Sequence, residues 1–368
     1  MPRKAIVIHS PYSGKSQQLH AALAHLRESG VEIVDVIPIA ALDRLPAQGT
    51  QWRQDGIELA VAAGGDGLIG GVITHIAESG LILGILPLGT ANDIARSLSI
   101  PLNIRQAARV IASGTVQEAD IGVARPSEQA PHLASKDQQH STPMQVDTRK
   151  QSYFAHTVTT GLNVQFARIA TNIATRQRYG RLTYPIAAVE TLKYYDGLDV
   201  TLQFAGLALP RDVTSIFGPD SALNEPFTLR CRALQVTVIN APIFGGQWNL
   251  ALPNVSLNDR LLDIVVIEEF EFGRINTALA RLFNSRPRDE APTHGELSDL
   301  ASALEHHPAN LINIPGIHHL QAKGVHIATN ADPRDVTLDG EVRGQTPMYI
   351  HVASERLKVM GPAQDRRK

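Results

Sequence analysis

Residues 61–73 read Val-Ala-Ala-Gly-Gly-Asp-Gly-Leu-Ile-Gly-Gly-Val-Ile. The first residues of this stretch end an apolar run and the last begin a helical pattern, so the glycines and Asp66 occupy a strand-to-helix turn. Glycine allows backbone N–H groups to approach a ligand closely, and the start of a helix favours negative charge. An aspartate in the turn adds an acceptor for a metal ion or its water shell. The turn is therefore a candidate site for a metal-bound phosphate chain.

The segments around this turn predict the fold of the first part of the chain. Apolar strands predicted at 4–9, 31–37, 59–63 and 81–87 alternate with helical segments, which is typical of an α/β domain with a parallel sheet. Phosphate-binding turns of such a sheet lie at the carboxyl ends of its strands. After about residue 122, short strands separated by Gly, Pro and Asn predict a mostly antiparallel β domain.

This change of pattern predicts two domains. We expect a nucleotide-binding α/β domain at residues 1–122 and a β domain that carries the substrate at 123–352. The tail from about 353 to 368 is expected to pack back on the first domain. Polar segments at about 125–151 and 284–316 are predicted to be inserts.

Composition excludes several classes of protein. The 368 residues carry a formal net charge of -2, which argues against a nucleic-acid partner. Cys231 is the only cysteine, so the chain has no intrachain disulfide and no Cys-based zinc site. No apolar run approaches the roughly 18 residues that span a bilayer, so we expect a cytoplasmic protein whose membrane contact is peripheral. Nothing in the sequence argues against a homodimer.

Two familiar nucleotide motifs match this chain only in part. Residues 13–16, Ser-Gly-Lys-Ser, resemble the end of a Walker loop, but His9 stands where its first glycine is required. The spacing Gly65-x-Gly67-x-x-Gly70 matches the dinucleotide fingerprint, but the acidic residue expected about 20 positions later is missing. The turn also follows the third predicted strand and not the first. Both interpretations are therefore disfavoured.

A second polar turn follows the next strand, where residues 87–93 read Pro-Leu-Gly-Thr-Ala-Asn-Asp. Asn92 and Asp93 suit the start of a helix, which is the structural interpretation of this turn. The functional interpretation is that Thr90 and Asn92 meet a nucleotide across from the glycine turn. Two polar turns at neighbouring strand ends favour a shared ligand site.

Two carboxylate segments lie in the β domain. Residues 337–341 read Thr-Leu-Asp-Gly-Glu, and Asp-Gly is a strong hairpin signal. On an extended segment Asp339 and Glu341 would share a face, and paired carboxylates suit general-base work or metal binding. Asp259, within residues 258–263, is a candidate to bind a metal with loop carbonyls or to lie in a solvated turn.

Together, these segments resemble the diacylglycerol kinase catalytic-domain family, which includes soluble bacterial lipid kinases and sphingosine kinases. The similarity covers nearly the whole chain apart from the inserts, and the motifs occur in the family's order. The matching segments are Pro11-Tyr12-Ser13-Gly14, Gly64-Gly65-Asp66-Gly67, Pro87–Asp93, Asn240-Ala241-Pro242 with Gly245-Gly246, Asn258–Asp263 and Leu338-Asp339-Gly340-Glu341.

The resemblance implies a fold, a reaction and a set of site residues. It implies an α/β domain like that of NAD kinases and phosphofructokinases, followed by a β-sandwich domain, with ATP and Mg²⁺ in the cleft. The implied substrate is a lipid with a free hydroxyl. The implied nucleotide-binding residues are Ser13, Gly64, Gly65, Asp66, Gly67, Thr90 and Asn92. The implied catalytic residues are Glu341 as the base, Asp339 as its support and Asp66 as the organiser of the Mg·ATP phosphates. The implied structural magnesium site comprises Asp259 and the main-chain oxygens of Ser256 and Leu261.

This chain departs from the family pattern at two places. After the glycine–aspartate turn the family usually has Thr, then Ile or Val, Asn and Glu, whereas residues 68–71 here read Leu-Ile-Gly-Gly. Arg260 replaces the usual glycine of an Asp-Gly pair. Two alternatives to a lipid kinase remain open: a kinase for a soluble substrate such as NAD, and a regulator that binds nucleotide or lipid without catalysis.

Overall fold

The computed structural model describes residues 2–11, 15–42, 47–127, 151–164, 195–208, 227–244, 250–251, 255–269, 316–330 and 332–363. Most of both predicted inserts lies outside these residues, as does Ser13. The helices are α1 (Leu19–Glu28), α2 (Ile39–Leu42), α3 (Gly49–Gln54), α4 (Asp66–Ile76), α5 (Asp93–Ser97) and α6 (Ile104–Ser113), with a 3-10 turn at Ser16–Gln18. The strands are β1 (Arg3–His9), β2 (Val31–Pro38), β3 (Leu59–Gly64), β4 (Ile82–Pro87), β5 (Thr115–Ala119), β6 (Gly122–Pro126), β7 (Ser152–Phe154), β8 (Thr157–Gly161), β9 (Leu198–Leu207), β10 (Phe227–Ile239), β11 (Ile243–Phe244), β12 (Leu250–Ala251), β13 (Leu262–Glu268), β14 (Ile317–Thr329), β15 (Asp335–Leu338), β16 (Glu341–Gln345), β17 (Met348–Val352) and β18 (Leu357–Gly361).

The first domain is built on a six-stranded sheet with the order β2-β1-β3-β4-β18-β5. The strands β2, β1, β3, β4 and β18 run parallel to one another, and β5 is antiparallel to β18. Every residue of β3 is buried, as the uninterrupted sequence Leu-Ala-Val-Ala-Ala-Gly favours for a central parallel strand. The turns after β1, β3 and β4 consequently lie at the same edge of the sheet.

The second domain contains a ten-stranded antiparallel sheet. Its main path runs β16-β15-β8-β10-β13-β14-β17-β6-β7, and β9 pairs with both β10 and β14. The strand β13 also pairs with both β10 and β14. The four strands β9, β10, β13 and β14 therefore form a closed ring of pairings. Their buried side chains, including Phe204, Val236 and Ile264, form a separate hydrophobic core.

The chain crosses between the two sheets twice, and the crossings run side by side. The first connects β5 to β6 through Asp120 and Ile121, and the second connects β17 to β18. The Ala353 N–H donates to the Ile121 carbonyl at 2.8 Å. The C-terminal strand β18 therefore returns to the first sheet and lies between β4 and β5.

Candidate active site

Three turns meet at the carboxyl edge of the parallel sheet. The Lys15 N–H, after β1, donates to the Leu88 carbonyl at 2.9 Å, and the Leu88 N–H donates to the Gly64 carbonyl at 3.0 Å. The glycine turn after β3 is thus flanked by the turn after β1 and the turn after β4. This convergence follows from the parallel order of the strands.

The turns after β3 and β4 touch through two glycines. A Cβ on Gly89 would lie 2.4 Å from the Gly65 Cα, and a Cβ on Gly65 would lie 3.1 Å from the Gly89 Cα. Only residues without a side chain permit this backbone contact. Within the described residues, no side chain caps the N-terminus of α4 at Gly65. The first-turn N–H groups of α4 are therefore suited to an anion.

Asp66 joins the two turns. Its Oδ2 accepts the Asp93 N–H at 3.1 Å, and its Oδ1 accepts the Ile94 N–H at 2.9 Å. These are the first two N–H groups of α5, where a carboxylate is favoured by the helix dipole. The Asp66 carboxylate thus fixes the second loop, a contact between residues 27 and 28 positions apart that the sequence pattern did not reveal.

Asn92 shapes the second loop from inside. It is buried and has a left-handed backbone, with φ of 55°. Its Oδ1 accepts the Gly89 N–H and its Nδ2 donates to the Gly89 carbonyl, both at 2.9 Å. The neighbouring Thr90 is exposed, so it is the side chain of this loop that can reach a ligand.

The β15–β16 hairpin brings carboxylates from the second domain to α4. Asp339 and Gly340 form its two-residue turn, with φ of 48° and 87°, which matches the hairpin turn typical of Asp-Gly. Of the two interpretations of residues 337–341, the hairpin applies: Asp339 lies inside the turn and Glu341 begins β16. Both carboxylates nevertheless reach α4.

Asp339 is buried and accepts three backbone N–H groups. They come from Ala155 at 3.0 Å, His156 at 2.9 Å and Thr157 at 3.0 Å. Burial raises the pKa of the Asp339 carboxyl, and the three N–H donors counteract part of that effect. The Asp339 side chain therefore anchors the hairpin to the start of β8.

Glu341 is more exposed and lies over the first turn of α4. A Cβ on Gly67 would lie 2.8 Å from the Glu341 Oε1. The other oxygen, Oε2, accepts from Arg343 through Nη2 at 2.6 Å and Nε at 3.1 Å. Sequence reasoning missed Arg343, although its position two residues after Glu341 on a strand puts both side chains on one face.

Two of the residues that depart from the family pattern, Gly70 and Gly71, lie where the hairpin side chains contact α4. A Cβ on Gly70 would lie 2.5 Å from the Asp339 Oδ2, and one on Gly71 would lie 3.7 Å from the Arg343 Nη2. Gly70 and Gly71 thus form, with Gly67, a face of the helix against which the hairpin packs.

The Asp259 loop lies before β13 and is held by hydrogen bonds of its own side chains. The Asp259 Oδ1 accepts the Leu261 N–H at 3.0 Å, and the Ser256 hydroxyl donates to the Asn258 Oδ1 at 2.7 Å. Burial raises the pKa of the Asp259 carboxyl, and the charges of Asp263 and Asp120 add to that effect. Over the described residues, no group of three or more His, Cys, Asp or Glu side chains could hold a metal ion.

Beside this loop, a buried carboxylate ties together the two crossings between the domains. Asp120 accepts the Arg260 N–H at 2.7 Å and the Arg356 Nε–H at 2.9 Å. The Arg260 Nη1 also donates to the Ala353 carbonyl at 3.1 Å, and the Arg356 Nη2 donates to the Asn258 carbonyl at 2.7 Å. Arg260, which stands where the family usually has glycine, is therefore part of the domain junction.

The structure brings most of the predicted site residues together around α4. The glycine turn at residues 64–67, Thr90 and Asn92 in the second loop, and Asp339 and Glu341 in the hairpin surround its first turns. The contacts of residues 256–261 lead instead to Asp120 at the domain junction.

None of the described helices is long and apolar enough to cross a membrane.

Comparison with known proteins agrees with this architecture. Residues 4–124 match the diacylglycerol kinase catalytic domain, and residues 156–287 match the YegS C-terminal NAD kinase beta sandwich-like domain. The predicted order of an α/β domain followed by a β-sandwich domain is confirmed.

Relatives of similar length match nearly the whole chain. A diacylglycerol kinase of Mycobacterium tuberculosis (strain CDC 1551 / Oshkosh) is 24% identical over 367 residues, which cover 98% of this chain and 95% of the relative. One from Staphylococcus aureus (strain MRSA252) is 23% identical, with 98% and 93% covered. The crystal structure of a diacylglycerol kinase from Bacillus anthracis str. Sterne shares the fold with a TM-score of 0.55 at 18% identity, and it covers 98% of this chain and 97% of that one.

The sequence-based resemblance is confirmed by these matches, which assign a diacylglycerol kinase catalytic domain and a YegS C-terminal domain to one chain. The chain carries a diacylglycerol kinase catalytic domain at residues 4–124 and is a kinase of the lipid kinase type, a phosphotransferase with an alcohol group as acceptor.

Proposed function

We propose that this chain transfers the γ-phosphoryl group of ATP, with Mg²⁺, to the free hydroxyl of a diacylglycerol-like lipid. The observation that carries the proposal is the position of the Glu341 Oε1 over Gly67, at the start of α4. This arrangement puts a carboxylate beside a helix N-terminus that suits phosphate. Phosphoryl transfer is catalysed mainly by positioning and charge neutralisation, so helix N–H groups, Mg²⁺ and a base suffice for transfer to an alcohol.

The residues of the three turns fit a nucleotide triphosphate. Gly64, Gly65 and Gly67 expose backbone rather than side chains, and the exposed Lys15 adds a positive charge beside them. Thr90 would contact the nucleotide from the second loop, and Ser13 from the first turn. Both oxygens of Asp66 already accept backbone N–H groups, so we propose that Asp66 acts on the phosphates by fixing the second loop.

The reaction follows from these positions. Glu341 accepts the proton of the lipid hydroxyl, the hydroxyl oxygen bonds to the γ-phosphorus, and the bond from that phosphorus to the ADP oxygen breaks. Mg²⁺, when bound, neutralises charge on the phosphates. Asp339 supports the base by anchoring the hairpin. The lipid enters from a membrane surface, which the protein contacts peripherally.

The test is transfer of label from γ-labelled ATP with Mg²⁺, with diacylglycerol vesicles and NAD offered as separate acceptors. We expect labelled lipid and no labelled NAD. Glu341→Gln should lower kcat by about 10²- to 10⁴-fold, the usual contribution of a general base. The control Glu32→Gln changes an exposed carboxylate on β2. Labelled NAD would indicate a soluble-substrate kinase, and nucleotide binding without transfer would indicate a regulator.

A structural magnesium at Asp259 is a separate part of the proposal. The negative charges of Asp263 and Asp120 disfavour ionisation of the Asp259 carboxyl, and a bound cation would offset that repulsion. Mg²⁺ commonly binds through one or two carboxylates and keeps several waters, so Asp259 and the main-chain oxygens of Ser256 and Leu261 fit it. In the absence of nucleotide, Mg²⁺ should raise the Tm of the wild type and leave that of Asp259→Asn unchanged. Equal responses of the two proteins would contradict the site.

A further inference from the structure

The β15–β16 hairpin presents three side chains to one face of α4, one from its turn and two from β16. Asp339 lies at Gly70, Glu341 at Gly67, and Arg343 at Gly71. The first two carry the proposed chemistry. Arg343 has no role in the proposal so far, although it is more buried than its partner: its side chain is 24% exposed and that of Glu341 is 55% exposed.

Arg343 contacts only one of the two Glu341 oxygens. Its Nε and Nη2 both donate to Oε2, at 3.1 and 2.6 Å, and Nη2 also lies 3.5 Å from the Gly67 carbonyl. The guanidinium therefore bridges the hairpin and the first turn of α4. It holds Oε2 from the side, while Oε1 faces Gly67.

We propose that Arg343 is a positioning residue that fixes the Glu341 carboxylate so that Oε1 receives the proton of the substrate hydroxyl. The inference rests on the proposed function. A planar guanidinium that donates two hydrogen bonds to one carboxylate oxygen restricts rotation of that carboxylate more than a single donor would. Because Glu341 is otherwise exposed, the ion pair is what orders it.

This role predicts that loss of Arg343 lowers kcat and leaves the KM for ATP nearly unchanged. Without Arg343 the base is still present but adopts more orientations, and displacement of a reacting group by about 1 Å can cost about 10²-fold in rate. Arg343→Ala should therefore lower kcat by roughly 10- to 100-fold. The KM for ATP should change little, because the guanidinium is assigned to Glu341 and not to the nucleotide. Arg343→Lys should retain more activity than Arg343→Ala, since an ammonium can still donate to Oε2.

A double-mutant cycle separates positioning from a general structural effect. In a Glu341→Gln background the base is already removed, so adding Arg343→Ala should lower kcat less than about threefold. Millimolar guanidinium chloride, far below denaturing concentrations, should partly restore the activity of Arg343→Ala and not that of Glu341→Gln. The control Arg334→Ala removes an exposed arginine just before the same hairpin and should retain wild-type kcat.

The outcomes distinguish this inference from the proposed function. If Glu341→Gln is inactive while Arg343→Ala keeps wild-type kcat, the positioning role is wrong and the proposed function stands. A raised KM for ATP with unchanged kcat, or full additivity in the cycle, would also overturn it. A wild-type protein that transfers no phosphoryl group to lipid would overturn both.

Discussion

The Asp339 carboxylate lies directly against α4 at Gly70, where a Cβ would be 2.5 Å from Oδ2. Three backbone N–H groups hold this carboxylate, so it cannot move aside without loss of hydrogen bonds. The glycine that departs from the family pattern is therefore required by the packing of the hairpin in this chain.

Gly70→Ala should destabilise the protein and lower its kinase activity. Alanine favours a helix over glycine by about 1 kcal/mol, but overpacking a buried contact typically costs about 1–3 kcal/mol. We expect a lower free energy of unfolding in denaturant. Gly71→Ala is the matched control, because its Cβ would meet the flexible end of Ile39 at 3.2 Å and would stay 3.7 Å from the Arg343 Nη2. Equal stability of the two variants would contradict the role assigned to Gly70.

Asp66→Ala should reduce stability as well as activity. The substitution leaves the Asp93 and Ile94 N–H groups at the start of α5 without their acceptor. Hydrogen bonds to a charged group contribute about 1.5–3 kcal/mol, so the loss should be about 2 kcal/mol. Asp55→Ala, at the exposed end of α3, is the control and should stay within about 0.5 kcal/mol. An inactive Asp66→Ala with wild-type stability would instead indicate a purely catalytic aspartate.

Asp120→Ala should weaken the junction between the domains. It removes a fully buried carboxylate that accepts from Arg260 and Arg356, at a cost of about 2 kcal/mol. Glu118→Ala tests an exposed acid beside the same Arg356, 3.8 Å from its Nη1, and should cost no more than about 1 kcal/mol. Thermal unfolding of the two variants measures the difference. A similar loss in both would show that burial of Asp120 is unimportant.

His351 should make the protein less stable in mild acid. Burial, together with the positive charge of Arg125, lowers the pKa of His351 from 6.5 to about 4. Between those values the unfolded chain binds a proton that the folded protein does not, so the contribution of neutral His351 is lost as pH falls from 6.5 to 4. His351→Gln should show a smaller decrease of Tm over that range. His20→Gln, at an exposed position, should follow the wild type.

Local patterns were sufficient to predict the two polar turns and the order of the domains. Glycine directly after a buried strand indicates a turn in which the backbone comes close to another group. Residues 64–67 and 87–93 could therefore be recognised as such turns from their sequence. The hairpin turn at Asp339-Gly340 could also be predicted, because the preference of Asp-Gly for such turns depends only on these two residues.

Contacts between distant residues were not accessible in the same way. Asp66 and α5 lie about one strand and one helix apart in sequence, and nothing local indicates that the carboxylate bonds to those N–H groups. Asp120 meets Arg260 and Arg356 only because the two crossings lie together. Arg343 could have been found from its alternation with Glu341, but the glycine face that receives it depends on how the domains pack.

The return of β18 to the first sheet has a consequence for synthesis of the protein. Residues 357–361 complete the parallel sheet beside β4, so that edge of β4 remains unpaired until β18 has been translated. The strands of the second domain, from β6 to β17, are all made before it. The first sheet is therefore completed after the second, and the nascent protein exposes an apolar strand edge until β18 leaves the ribosome.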